Sequence, residues 1–224
     1  DTVMTYASAA RGYKAGGFNL DRVQVGVTPS ADTSFPGEFV DSYEVGAKTT
    51  WQDGNLLLNA ALFYQDYTDF QLNSFLGSSY VVRAIPELTT QGLDMDVLWQ
   101  TSVEGLTLQG GATYTDAQYG DDALPDAALS RLPGSTASFA PEWQVSGSVT
   151  YEWDFASNLV GRFNVGAKYT TDYNTGSDLA PQKMQDAYAL VNARIGTGSR
   201  NKRWMVELWG QNLTDETYAQ VGFD

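Results

Sequence analysis

Strict alternation is the feature that most constrains what this chain can fold into. Over 143–153 the odd positions read Trp143, Val145, Gly147, Val149, Tyr151 and Trp153, and the even positions read Gln144, Ser146, Ser148, Thr150 and Glu152. A period of two with one apolar and one polar face marks a β-strand lying between two different solvents. The pattern returns over 159–169, where Phe163, Val165 and Ala167 oppose Arg162, Asn164 and Lys168, and over 106–114 against Thr107, Gln109, Thr113 and Thr115. It returns where Leu93, Met95, Val97 and Trp99 oppose Asp94, Asp96 and Gln100, and where Tyr43, Val45 and Ala47 oppose Glu44 and Lys48. Over 56–67 the polar face is less pure, because Leu57 and Phe63 lie on it. Further strands near 2–11, 187–195 and 204–210 bring the expected number to nine, and no amphipathic helix of similar clarity competes.

The connections are sorted by length. Short links at 52–55, 101–105, 154–158 and 197–202 carry turn chemistry such as Asp53-Gly54 and Glu104-Gly105. Long links at 13–41, 70–88, 116–141 and 172–186 alternate with them without exception. A soluble sandwich has no reason to sort loops this way, whereas an outer-membrane barrel has short periplasmic turns at one end and long extracellular loops at the other. No window approaches the roughly 20 apolar residues of a spanning helix, so a membrane crossing would have to be made by strands. Aromatics gather at the ends of the apolar faces, at Trp51, Tyr64, Trp99, Tyr114, Trp143, Trp153 and Tyr169, where the two interfacial girdles of a barrel would lie. Parity makes the first and ninth strands run in the same direction. The reading is therefore of a partial barrel, extending over 1–224, that lacks at least one strand.

Composition excludes several functions. There are no cysteines and no histidines among the 224 residues, which removes disulfides, thiolate or imidazole metal sites and the usual catalytic base. An enzyme is not expected, nor a cofactor or a metal; the acidic pairs Asp121-Asp122 and Asp215-Glu216 read as solvated turns. With 13 basic against 27 acidic residues, a net charge of −14 opposes nucleic-acid binding.

Three stretches resemble a known family, the TonB-dependent outer-membrane receptors. Tyr6-Ala-Ser-Ala-Ala-Arg-Gly-Tyr-Lys-Ala-Gly-Gly-Phe-Asn19 is similar to the family's strand that leads into a large external loop. Phe39-Val-Asp-Ser-Tyr-Glu-Val-Gly-Ala-Lys48, followed by Phe63-Tyr64-Gln65-Asp66-Tyr67, is similar to its next hairpin. Asn212-Leu-Thr-Asp-Glu-Thr-Tyr218 resembles the Asn-Leu-x-Asp-x-x-Tyr element near the family's C-terminus. The resemblance implies an all-β, antiparallel transmembrane barrel of 22 strands in the bacterial outer membrane, with an N-terminal plug in its lumen. About nine of those strands would lie here, and the plug and last strand would not. It further implies a monomeric barrel in outer-membrane lipid that imports a scarce solute, foremost a ferric siderophore. Energy would come through a TonB-type coupling protein that engages the N-terminal region.

Candidate ligand contacts lie on the long links: Tyr80 and Arg83 on the second, Tyr119 and Arg131 on the third, Tyr173 on the fourth. Arg pairs with anionic oxygens and Tyr stacks on planar groups; packing between loops is the competing role for all five. The rival readings are a passive outer-membrane pore or structural barrel, a soluble all-β carbohydrate-binding module, and an outer-membrane hydrolase. A nine-strand piece standing alone would expose two edges and is expected to aggregate or require detergent.

Overall fold

A computed structural model describes residues 1–20, 33–76 and 79–223. Among them, nine strands form one antiparallel sheet in chain order. They are β1 (Thr2–Lys14), β2 (Glu38–Trp51), β3 (Leu56–Leu76), β4 (Ser79–Gln100), β5 (Leu106–Tyr119), β6 (Trp143–Ala156), β7 (Leu159–Thr170), β8 (Tyr188–Ser199) and β9 (Met205–Gly210). Two short ribbons, Gly17–Phe18 with Ser34–Phe35 and Tyr173–Asn174 with Met184–Gln185, lie within the stretches read as the first and last long links, of which 21–32 falls outside the described residues. β1 and β9 are the outer strands of the sheet and do not pair with each other, so it is an open wall.

Register converts the sequence alternation into two continuous faces. The cross-strand rows Ala47–Ala60–Met95–Ala112–Val145 and Thr49–Leu58–Val97–Gly110–Gly147 lie on one face. Lys48–Asn59–Asp96–Gly111–Ser146–Lys168 lies on the other, one residue along. The first face is bare: Val45, Leu62, Tyr43 and Leu208 are all exposed, Leu208 by 76%. A sheet of this size with no apolar layer over its apolar face is built to meet lipid, since water would make that face a large exposed patch. All seven expected girdle aromatics fall on it. Trp51 and Tyr43 stand eight residues apart on β2, roughly 27 Å along the strand and about 20 Å in height after tilting, close to the apolar band of an outer-membrane barrel.

Tight turns close one end of the wall. Between β2 and β3, Gln52, Asp53 and Gly54 all take positive φ, and Asn55 closes the turn with N and Nδ2 both donating to Gln52 O. Between β4 and β5, Gly105 has φ +77, and a Cβ there would run into the carbonyl of Glu152 on β6. Phe63, the apolar intruder on the polar face, lies across from Gly92 and fills the space a side chain would need there.

At the opposite end one expectation is revised. The stretch read as a long link over 70–88 is instead a continuation of β3 and β4, pairing Phe70 with Ile85 and onward to Leu76 with Ser79. Its alternation was hidden because it changes face midway. Asp69 adopts φ +55 beside Pro86, which donates no hydrogen bond. Beyond that point Leu72 and Ile85 turn inward to join Leu88 and Tyr119 in one cluster.

Candidate functional site

Among the described residues, the buried apolar cluster is neither between two sheets nor in the membrane band. It lies at the long-loop end, on the polar side of the wall, and comprises Leu72, Ile85, Leu88, Ala117, Tyr119, Leu129, Leu132 and Ala137. Leu88 pairs with Tyr119 on the face that carries Asp94 and Asp96 further down. The loop over 120–142 therefore folds over the lumen side and buries Leu129 and Leu132 there, Leu132 to 0% exposure. Asp126 caps the short turn Ala127–Leu129 by accepting from Ala128 N at 3.0 Å. The same carboxylate pairs with Arg83 Nε at 3.1 Å, fixing the loop to β4.

Each long loop is tied to the next. Asn19 Nδ2 donates to Val82 O at 2.9 Å while Val82 N donates to Asn19 Oδ1 at 2.8 Å. Gln71 Nε2 donates to Ala15 O and Pro36 O, each at 3.0 Å. Phe139 N donates to Asn174 O at 2.9 Å, joining the 120–142 loop to the 171–187 loop. Within the latter, Lys183 Nζ reaches Asp178 Oδ1 at 3.1 Å, with both side chains largely buried. Burial works to raise the Asp178 carboxyl, but the Lys183 ammonium and the Ala180 amide outweigh it and hold it below the usual carboxylate range.

The five residues singled out on the sequence divide into two groups. Tyr119, Arg83 and Arg131 belong to the folded-in loop: Tyr119 is 3% exposed in the cluster and exchanges 3.4 Å contacts with Ser138. Arg83 is paired with Asp126, and Arg131 presents an exposed side chain while its carbonyl accepts from Ser135 Oγ at 2.8 Å. Tyr80 and Tyr173 meet instead through the segment after β9. Tyr80 packs edge-on to Phe223 with centroids 5.9 Å apart, and Tyr173 donates to Ala219 O at 3.3 Å. Burial, followed by the neighbouring Tyr188 and Tyr218, pushes the Tyr173 hydroxyl up to about 12, so it stays a hydrogen-bond donor at any physiological pH. Tyr188 and Tyr218, stacked at 4.6 Å and 14°, were not singled out on the sequence. Nor was Asp126, although an Asp before an Ala-Ala-Leu turn carries a capping signal.

Below the mouth, the lumen side is a polar trough of about 600 Å³ lined by Tyr6, Glu44, Lys48, Asn59, Asp94 and Asp96 among others. Tyr6 donates to Glu44 at 2.6 Å, Asn59 to Asp96 at 2.9 Å and Thr113 to Asp94 at 2.8 Å. These bonds tie neighbouring strands together along the polar face.

A sheet that is lipid-facing on one side and hydrated on the other, with tight turns below and inward-folded loops above, is the wall of a transmembrane β-barrel. This chain belongs to the TonB dependent receptor-like β-barrel family, whose pattern matches residues 1–213. The family places it in the bacterial outer membrane, and the family and its structural neighbours are transport receptors. Among solved structures, the ferric yersiniabactin uptake receptor FyuA from Yersinia pestis superposes with a TM-score of 0.80 at 20% identity, over 100% of this chain and 32% of that one. The ferric-catecholate import receptor Fiu from E. coli K12 gives 0.68 at 23% identity, over 98% and 30%. The siderophore receptor PiuA from Acinetobacter baumannii gives 0.70 at 18% identity, over 98% and 30%. The chain spans about a third of the length of the structures it matches, and at these identities the likeness is one of fold.

Proposed function

We propose that the chain is part of the barrel of a receptor that binds a ferric siderophore at the cell surface and imports it with energy delivered through a TonB-type partner. The observation that carries the reading is the fit of this wall to the ferric yersiniabactin receptor, with a TM-score of 0.80 over 100% of this chain and 32% of that one. The interlocked loops add support: they make a fixed, partly aromatic rim above a hydrated lumen, which suits capture of a solute outside and its release below. Arg131 and Tyr173 are the contacts we propose for an anionic, planar iron chelate, with Tyr80, Arg83 and Tyr119 shaping the rim around them. The function proposed is transport without bond-making chemistry.

The test is uptake of ⁵⁵Fe carried by a catecholate, a hydroxamate and a phenolate siderophore into cells with and without the full-length gene. One chelate is expected to enter only when both the gene and an intact TonB system are present. Uptake that persists without TonB would favour the passive pore, and no gene-dependent uptake of any chelate would move the ligand away from iron.

A further inference from the structure

Basic charge is spread unevenly over the tight-turn end of the wall. The turns at 52–55, 101–105 and 154–158 contain no Lys or Arg. The fourth, between β8 and β9, reads Ser199-Arg200-Asn201-Lys202-Arg203-Trp204 and holds three of the chain's 13 basic residues. Its backbone is fixed from within: Ser199 N donates to Trp204 O at 3.0 Å, Lys202 N to Ser199 O at 2.8 Å, and Arg203 N to Ser199 Oγ at 3.0 Å. Lys202 takes φ +57, so the chain reverses at the basic residues themselves.

Nearby carboxylates are already engaged or face elsewhere. Asp154 is the one acidic residue of the adjacent 154–158 turn, and Arg200 takes it up through both Nε and Nη2. Glu152, Arg162, Gly196 and Glu207 form one cross-strand row on the lumen face, where Glu152 pairs with Arg162 at 3.5 Å. Among the described residues, neither the Lys202 nor the Arg203 side chain has an ion pair, and both are exposed. A further strand beside β9 would pair along Met205–Gly210 and leave the tip of the turn uncovered.

Depth decides what these two cations meet. Trp153 of the lower girdle pairs with Gly161, Gly161 with Thr197 and Thr197 with Val206. Lys202 and Arg203 lie four and three residues before Val206, no more than about 10 Å beyond the girdle once the strands are tilted. Headgroups occupy roughly the first 5–8 Å outside the hydrocarbon layer, and long cationic side chains beside a Trp at that depth reach the lipid phosphates. We propose that the β8–β9 turn is a binding site for an anionic phospholipid of the periplasmic leaflet, with Lys202 and Arg203 on the phosphodiester and Trp204 beside the glycerol. The site depends on the barrel and its orientation and not on which solute the receptor carries.

The test is titration of the full-length receptor, in neutral detergent micelles, with phosphatidylglycerol or phosphatidylcholine, read by native mass spectrometry. The parent is expected to retain its first phosphatidylglycerol about tenfold more tightly than phosphatidylcholine, whose choline cancels the phosphate charge. Lys202→Gln with Arg203→Gln should lose most of that preference while the heat-modifiable gel mobility of the barrel is unchanged. Lys168→Gln, which removes a cation from the lumen face, should keep the preference of the parent. Equal retention of the two lipids by the parent, an undiminished preference in the double variant, or an equal loss in Lys168→Gln would overturn the proposal. Displacement of the lipid by millimolar inorganic phosphate would make the patch a site for soluble anions and overturn it too. Should the double variant not assemble, Arg203→Gln alone is expected to lower the preference about threefold, and an unchanged ratio there would be equally decisive against it.

Discussion

Individual side chains at the mouth carry more of the folded loop structure than their loop positions suggest. Leu132 is fully buried on a loop, and truncation to Ala should cost about 2–5 kcal/mol locally. The expected result is rapid trypsin cleavage after the exposed Arg131 in L132A, with the barrel itself intact. Asp178 gives a pH signature. Its folded carboxyl titrates below its unfolded value, so its stabilising charge is fully present above about pH 4 and is lost as pH falls through the depressed value. Exchange at Thr175 and Lys183, corrected for intrinsic rates, should accelerate below about pH 4. Asp178→Asn should be loose at all pH values, by up to about 3 kcal/mol, and lose that dependence. At this scale the sequence was least informative. Tyr and Arg could be picked out as chemically apt, but that Tyr119 would be buried follows from Leu129 and Leu132 arriving from another segment, which no local pattern specifies.

At the scale of elements, turns and alternation carried most of the information. Nine strands, the four short turns, the long links at 116–141 and 172–186 and the two faces were legible because each strand must satisfy lipid on one side and water on the other, residue by residue. The β3–β4 extension was not, since Asp69 and Pro86 exchange the faces and make Leu72 and Ile85 look out of phase. The turns differ in tolerance even where both contain glycine at positive φ. Gly105→Ala would meet the Glu152 carbonyl, whereas nothing lies within 4 Å of a Cβ at Gly54. Gly54→Ala should therefore cost only about 1–2 kcal/mol of backbone strain. Gly105→Ala should additionally displace β6 and lower the temperature at which the full-length barrel loses its heat-modifiable gel mobility. Equal effects of the two would mean that the β4–β5 turn does not pack against β6 as described.

The whole wall is organised by its two solvents, and its buried cluster is confined to the loop end because the membrane band needs no apolar core: lipid serves as one. That explains how a chain of net charge −14 can present bare valines, leucines and tryptophans along its length. Ala60 and Asn59 test this most directly, as adjacent residues of β3 on opposite faces, with Ala60 beside Ala47 and Met95, and Asn59 bonded to Asp96. The measurement is the stability of the full-length protein in lipid bilayers after Ala60→Arg and, separately, Asn59→Arg. Ala60→Arg is expected to cost about 2–4 kcal/mol, as for a cation near the bilayer midplane, and Asn59→Arg, facing water beside a carboxylate, less than about 1 kcal/mol. Equal costs, or a larger cost at Asn59, would contradict the assignment of the apolar face to lipid and with it the barrel.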